Sequence, residues 1–145
     1  MRRTEVSQWI SRQGSHGKAI AIINTSKRTV IAKQATIAAG PWQRMKGLLG
    51  RSTLSPGEAL VIPQCSSIHT MFMQFPIDVV FIDKQFRVVN AIRRVMPFRL
   101  PAPTRGAWAV VELNSGTVEQ SATTVGDRLE CRTHEAGLLD KATPC

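Results

Sequence analysis

Two runs constrain the fold of this chain most: Ile77-Asp78-Val79-Val80-Phe81-Ile82-Asp83 and Phe86-Arg87-Val88-Val89-Asn90-Ala91-Ile92. Only Lys84 and Gln85 separate them. β-branched and aromatic side chains suit a pleated, half-buried surface. Two such runs across a two-residue joint predict an antiparallel hairpin. The same text recurs elsewhere. Residues 18–23 and 28–32 flank Asn24-Thr25-Ser26-Lys27 and predict another hairpin. Residues 59–62, 66–70, 108–113 and 127–131 read as further short strands. Pro97, Pro101 and Pro103 exclude residues 96–103 from a central strand, so that stretch is expected to be a loop.

One helix is expected, over residues 40–51. Pro41 suits the first helical position, where its missing N–H is not needed. Gly50 suits a left-handed stop. Trp42, Met45 and Leu49 share a stripe and are expected to pack on the sheet. Gly47 inside the helix is unfavourable and points to a close approach of another backbone. Residues 116–122 read as a single helical turn. The pattern is mainly β with one short helix, a compact β-sandwich or distorted barrel rather than a parallel sheet.

The 145 residues suit one domain, expected over residues 18–132. Residues 1–17 read as a basic flexible leader and 133–145 as a polar tail. Residues 1–51 hold ten basic side chains and one acid, Glu5; residues 52–145 hold nine of each. The excess positive charge therefore lies in the first third, where it would attract phosphate backbones without sequence specificity. No run of about 18 apolar residues is present, so no membrane span is expected. No secretory apolar segment follows the basic start, so a cytoplasmic location is expected. Cys65, Cys131 and Cys145 are odd in number, widely spaced and free of any C-x-x-C pair. They suggest neither a disulfide framework nor a zinc site. Cys65 reads as a small buried hydrophobe and Cys145 as an exposed tail residue.

Four ionisable residues are candidates for chemistry. Asp78 shares a strand face with Val80 and Ile82, and an acid on such a face needs a partner or a role. Arg44 and His69 are its natural partners; the structural alternative is an ion pair or a backbone cap. Glu112 is assigned to the Trp108/Val110 face of its strand. Asp83 starts the central turn, where Asp caps its own backbone. His69 suits a general base, a metal ligand or a satisfied residue at a strand end. A Cys65–His69 nucleophile is set aside, because four residues of extended chain span about 13 Å. Met71-Phe72-Met73-Gln74-Phe75-Pro76 is expected to fill core, with a Met-rich contact surface as the alternative if it is exposed. Arg93-Arg94, Phe98 and Arg99 form a basic loop with one aromatic, without the marks of a known nucleic-acid module.

Four blocks carry a family resemblance: residues 44–51 (Arg44-Met45-Lys46-Gly47-Leu48-Leu49-Gly50-Arg51), the stretch 69–83, Val111-Glu112-Leu113-Asn114-Ser115-Gly116, and Gly126-Asp127. In order and spacing they resemble the family called domain of unknown function 192, over residues 18–132. The resemblance implies a compact β-sandwich or distorted barrel with a short helix, and it implies no activity.

If Arg44, His69, Asp78 and Glu112 converge, they form a polar pocket in an apolar frame, the usual form of a small-ligand site. The first expectation is therefore a small soluble binding or accessory domain for a small-molecule ligand, with its pocket near the helix and the central hairpin. A hydrolase-like enzyme using Asp78, His69 and Glu112 is the second. Nucleic-acid association through the basic leader is the third. No nucleophile elbow, phosphate loop, metal motif or dinucleotide fingerprint occurs, so no cofactor and no metal are expected.

Overall fold

A computed structural model describes residues 20–38 and 40–133. Seven strands form one sheet: β1 (Ile20–Asn24), β2 (Thr29–Ile37), β3 (Glu58–Pro63), β4 (Ile77–Ile82), β5 (Val88–Val95), β6 (Ala109–Asn114) and β7 (Leu129–Thr133). Their order across the sheet is β5-β4-β6-β3-β2-β1-β7. Every pairing is antiparallel except β2–β3. That parallel pair needs a crossover connection. The crossover carries the first helix, α1 (Pro41–Lys46); a second, α2 (Thr117–Gln120), follows β6.

The two edges of the sheet meet at one end. Val88 N–H donates to Asp127 O at 2.9 Å, Gly126 N–H to Val88 O at 2.8 Å and Leu129 N–H to Phe86 O at 2.9 Å. These bonds join the start of β5 to the start of β7, and the sheet curls into a half-barrel. The fold is thus mainly β, a distorted barrel, and the single helical turn expected over residues 116–122 is α2.

Curling creates two apolar layers. Inside lie Ile20, Ile22, Val80, Ile82, Val111, Leu113 and Leu129. Outside lie Ile62, Ile77, Val79, Phe81 and Val110, covered by Leu48, Leu54, Ile68 and Met73 from the connections. All six residues of β4 are buried, because both of its faces are covered. Burial on both faces explains why its sequence is apolar without alternation.

Several expectations change. The helix ends at Lys46, since Gly47 takes a positive φ of 51°. Trp42 does not pack on the sheet: it is 70% exposed. The side chains of Arg44 and Met45 lie outside the described residues. Residues 66–70 form no strand, whereas β2 runs on to Ile37. Trp108 turns toward the inner layer and meets Phe86 edge-on, with ring centroids 6.3 Å apart. Met71 to Phe75 is split: Met73 is buried in the outer layer and Phe72 is exposed. Cys65 is a free thiol, half-buried rather than buried. The leader and nearly all of the tail lie outside the described residues.

Candidate functional site

Glu112 lies in the middle of the sheet. On β6 it is registered opposite Leu60 of β3 and Val79 of β4. Both neighbours belong to the outer layer, so Glu112 points to that side. It is 4% exposed. Its Oε2 has no hydrogen-bond partner among the described residues. A buried carboxyl without donors resists ionisation. Burial accordingly pushes its pKa up to about 7.

The carboxyl faces a cavity of about 190 Å³. Residues 46–49, at the end of α1, form one wall. Ile62, Cys65, Ser67, His69, Met73 and Glu112 line the rest of it. Gly47 shapes this space. A methyl group there would lie 3.7 Å from Oε2 of Glu112, on a backbone whose φ already disfavours any side chain. The close approach inferred from Gly47 is therefore to a carboxylate, not to another backbone. His69 is exposed at the cavity wall. Cys65 Sγ lies 2.8 Å from Ser67 O. The extended spacing used to separate Cys65 from His69 does not apply, because residues 64–70 are irregular and both residues line the same cavity.

Asp78 is elsewhere. On β4 it is registered opposite Leu113, and it faces the inner layer. It is 1% exposed. Its Oδ1 accepts Arg94 N–H at 2.8 Å, at the bulge in β5. Its Oδ2 accepts Gly116 N–H at 3.1 Å and Val118 N–H at 2.8 Å, which caps α2. One carboxylate thus fixes a bulge and a helix start. The convergence of four residues is corrected on this point: the structure brings His69 and Glu112 to one cavity and puts Asp78 on the other face of the sheet. Arg44 belongs to α1, but its side chain lies outside the described residues. Asp83 holds the central turn, its Oδ1 accepting Gln85 N–H at 2.8 Å and Arg87 N–H at 3.0 Å.

A second polar group stands where the sheet edges meet. Asp127 accepts from Asn24 Nδ2 at 2.8 Å, Thr124 N–H at 2.9 Å and Lys27 Nζ at 3.1 Å. Desolvation raises the Asp127 pKa, but hydrogen bonds from Asn24, Thr124 and Lys27 outweigh it and hold the carboxyl below its usual range. Every strong acceptor there is used, so the group ties the fold together and leaves no free position.

Reading the sequence missed Cys65, Ser67, Met73 and residues 46–49 as cavity walls. Gly47, unexpected in helical text, was the available signal. Among the described residues, no group of three or more His, Cys, Asp or Glu side chains is gathered as metal ligands would be. No helix among them is long and apolar enough to cross a membrane.

These features define a class: a small curled-sheet domain with a carboxyl-lined cavity at the end of the first helix. The chain belongs to the DUF192 family, described as Uncharacterized ACR, whose model matches residues 21–131. A UPF0127 protein of Thermococcus sibiricus is 28% identical over 118 residues, covering 79% of this chain and 76% of its own. A UPF0127 protein of Pyrococcus horikoshii is 32% identical over 115 residues, covering 75% of this chain and 96% of its own. The fold is similar to a crystal structure of a protein of unknown function from Novosphingobium aromaticivorans, with a TM-score of 0.66 at 24% identity, over 77% of this chain and 83% of that one. A Sinorhizobium meliloti crystal structure matches with a TM-score of 0.69 at 24% identity, over 81% of this chain and 98% of that one.

Proposed function

We propose that the protein is a small-ligand-binding domain, with the cavity at the end of α1 as its site and Glu112 as its polar anchor. The ligand is a small molecule that presents an N–H donor, a primary amine in the simplest case. The observation that carries this reading is the buried Glu112 carboxyl, whose Oε2 has no hydrogen-bond partner among the described residues, facing a cavity of about 190 Å³. An apolar recess with few polar groups is the usual form of a ligand site. A cavity of this size suits a ligand of single-ring dimensions, since a void of about 150 Å³ holds benzene. An ammonium group would supply both the missing donor and the compensating charge. His69 at the wall supplies a second polar contact.

The hydrolase reading loses one of its three residues, because Asp78 is occupied by three backbone N–H groups. Binding without chemistry is therefore the reading we adopt. The test is a thermal-shift series with small primary amines and alcohols of matched shape at pH 8. Amines are expected to raise the melting temperature of the wild type and to leave Glu112→Gln unchanged. Equal shifts in both proteins, or none in the wild type, would refute the assignment.

A further inference from the structure

Away from the cavity carboxyl, two loops present apolar side chains to solvent. Phe72 is 74% exposed, Phe98 53%, Leu100 74% and Met96 43%. Phe72 and Phe98 pack edge to face, with ring centroids 5.6 Å apart. Both sit at positive φ, 62° and 61°, a conformation that disfavours bulky residues. Burial does not explain strained, exposed aromatics, and strain of this kind is typical of functional segments.

The exposure is built, not incidental. Thr70 is fully buried between the loops. Its N–H donates to Arg99 O at 2.9 Å, and its carbonyl accepts Phe98 N–H at 2.8 Å. Its hydroxyl donates to Met96 O at 2.6 Å and accepts Arg99 N–H at 2.9 Å. Four bonds thus hold the aromatic tips in register.

Charge identifies the occupant. Arg93 and Arg94 at the end of β5, and Arg99 and Arg105 in the connection that follows it, are exposed. None of them forms an ion pair among the described residues. No acid occurs between Asp83 and Glu112. Exposed apolar tips with unpaired arginines match the interface of an anionic bilayer, where rings enter the headgroup boundary and cations meet lipid phosphates. Leu100 and Met96 offer no ring for a base to stack on, and the edge-to-face pair occupies a ring face. A single-stranded nucleic acid would need those faces open.

We infer that the loops carrying Phe72 and Phe98 form a docking surface for an anionic lipid bilayer. The experiment is co-sedimentation of the full chain with phosphatidylcholine vesicles, with and without phosphatidylserine. Its key variant is Phe72→Asn/Phe98→Asn, because asparagine accepts positive φ and keeps the net charge. Wild type is expected to bind the phosphatidylserine vesicles and to bind pure phosphatidylcholine far less. The double variant is expected to bind at least about tenfold more weakly, with its melting temperature unchanged or raised. Arg93→Gln and Arg99→Gln are each expected to weaken binding roughly fivefold. Absence of vesicle binding overturns the inference. So does equal binding by the double variant, which would assign the affinity to the basic first third of the chain. So does phenylalanine-dependent binding of oligothymidylate without vesicle binding, which would make the surface a nucleic-acid site.

Discussion

Asp78 and Glu112 lie on adjacent strands and are equally hidden from water, yet they do opposite things. Asp78 faces the inner layer and accepts three backbone N–H groups. Glu112 faces the outer layer, and its Oε2 accepts none among the described residues. The difference teaches that burial of an acid is no sign of function. What separates a structural carboxylate from a candidate site is whether the fold supplies its donors. Asp127 falls with Asp78, since Asn24, Thr124 and Lys27 satisfy it.

The comparison is easiest to break at Asp78. Asp78→Ala orphans three backbone donors at once, that of Val118 buried, and a loss of about 3 kcal/mol is expected. Urea unfolding measures it; a loss below ~1 kcal/mol would mean that those bonds do not hold the bulge and α2.

Glu112 should behave the other way. Its folded pKa lies above its unfolded value, so the native state binds the extra proton. Stability is then highest below pH 4.5 and falls as the pH rises toward about 7. Relative to Glu112→Gln, wild type should lose on the order of 3 kcal/mol across that window. Denaturation curves at several pH values check this; parallel curves would contradict it.

Asp127 has the reverse sign. Its carboxyl is held low, so its contribution is present above the ordinary 3.8 and is lost as the pH falls below it. Asp127→Ala should cost about 2 kcal/mol at neutral pH, and acid denaturation should narrow the gap to wild type. The smallest effect belongs to the central turn. Asp83→Ala should cost about 1 kcal/mol, read as a small shift in the urea midpoint.

The hairpins were legible in the sequence because β-branched runs and turn residues are local signals. The central strands were legible for the same reason, although their burial on both faces was not. Curling was invisible: it depends on bonds between residues 86–88 and 126–129, and no local pattern reports them. Asp78 and Glu112 could both be named as core acids, but they could not be separated. That needed the register, which sets Asp78 beside Leu113 and Glu112 beside Val79. Cys65 was misjudged because a strand was assumed where the chain is irregular. The helix stops at Gly47, one turn sooner than its apolar stripe suggested, and Trp42 at its start is exposed.

Among the described residues, the fold leaves Oε2 of Glu112 buried and without a donor. Carboxyl-carbon NMR titration of the wild type, with Glu112→Gln identifying the resonance, tests it most directly. A midpoint of about 7 is expected, moving down when a primary amine binds. A midpoint at the ordinary 4.5, unmoved by any amine, would contradict it.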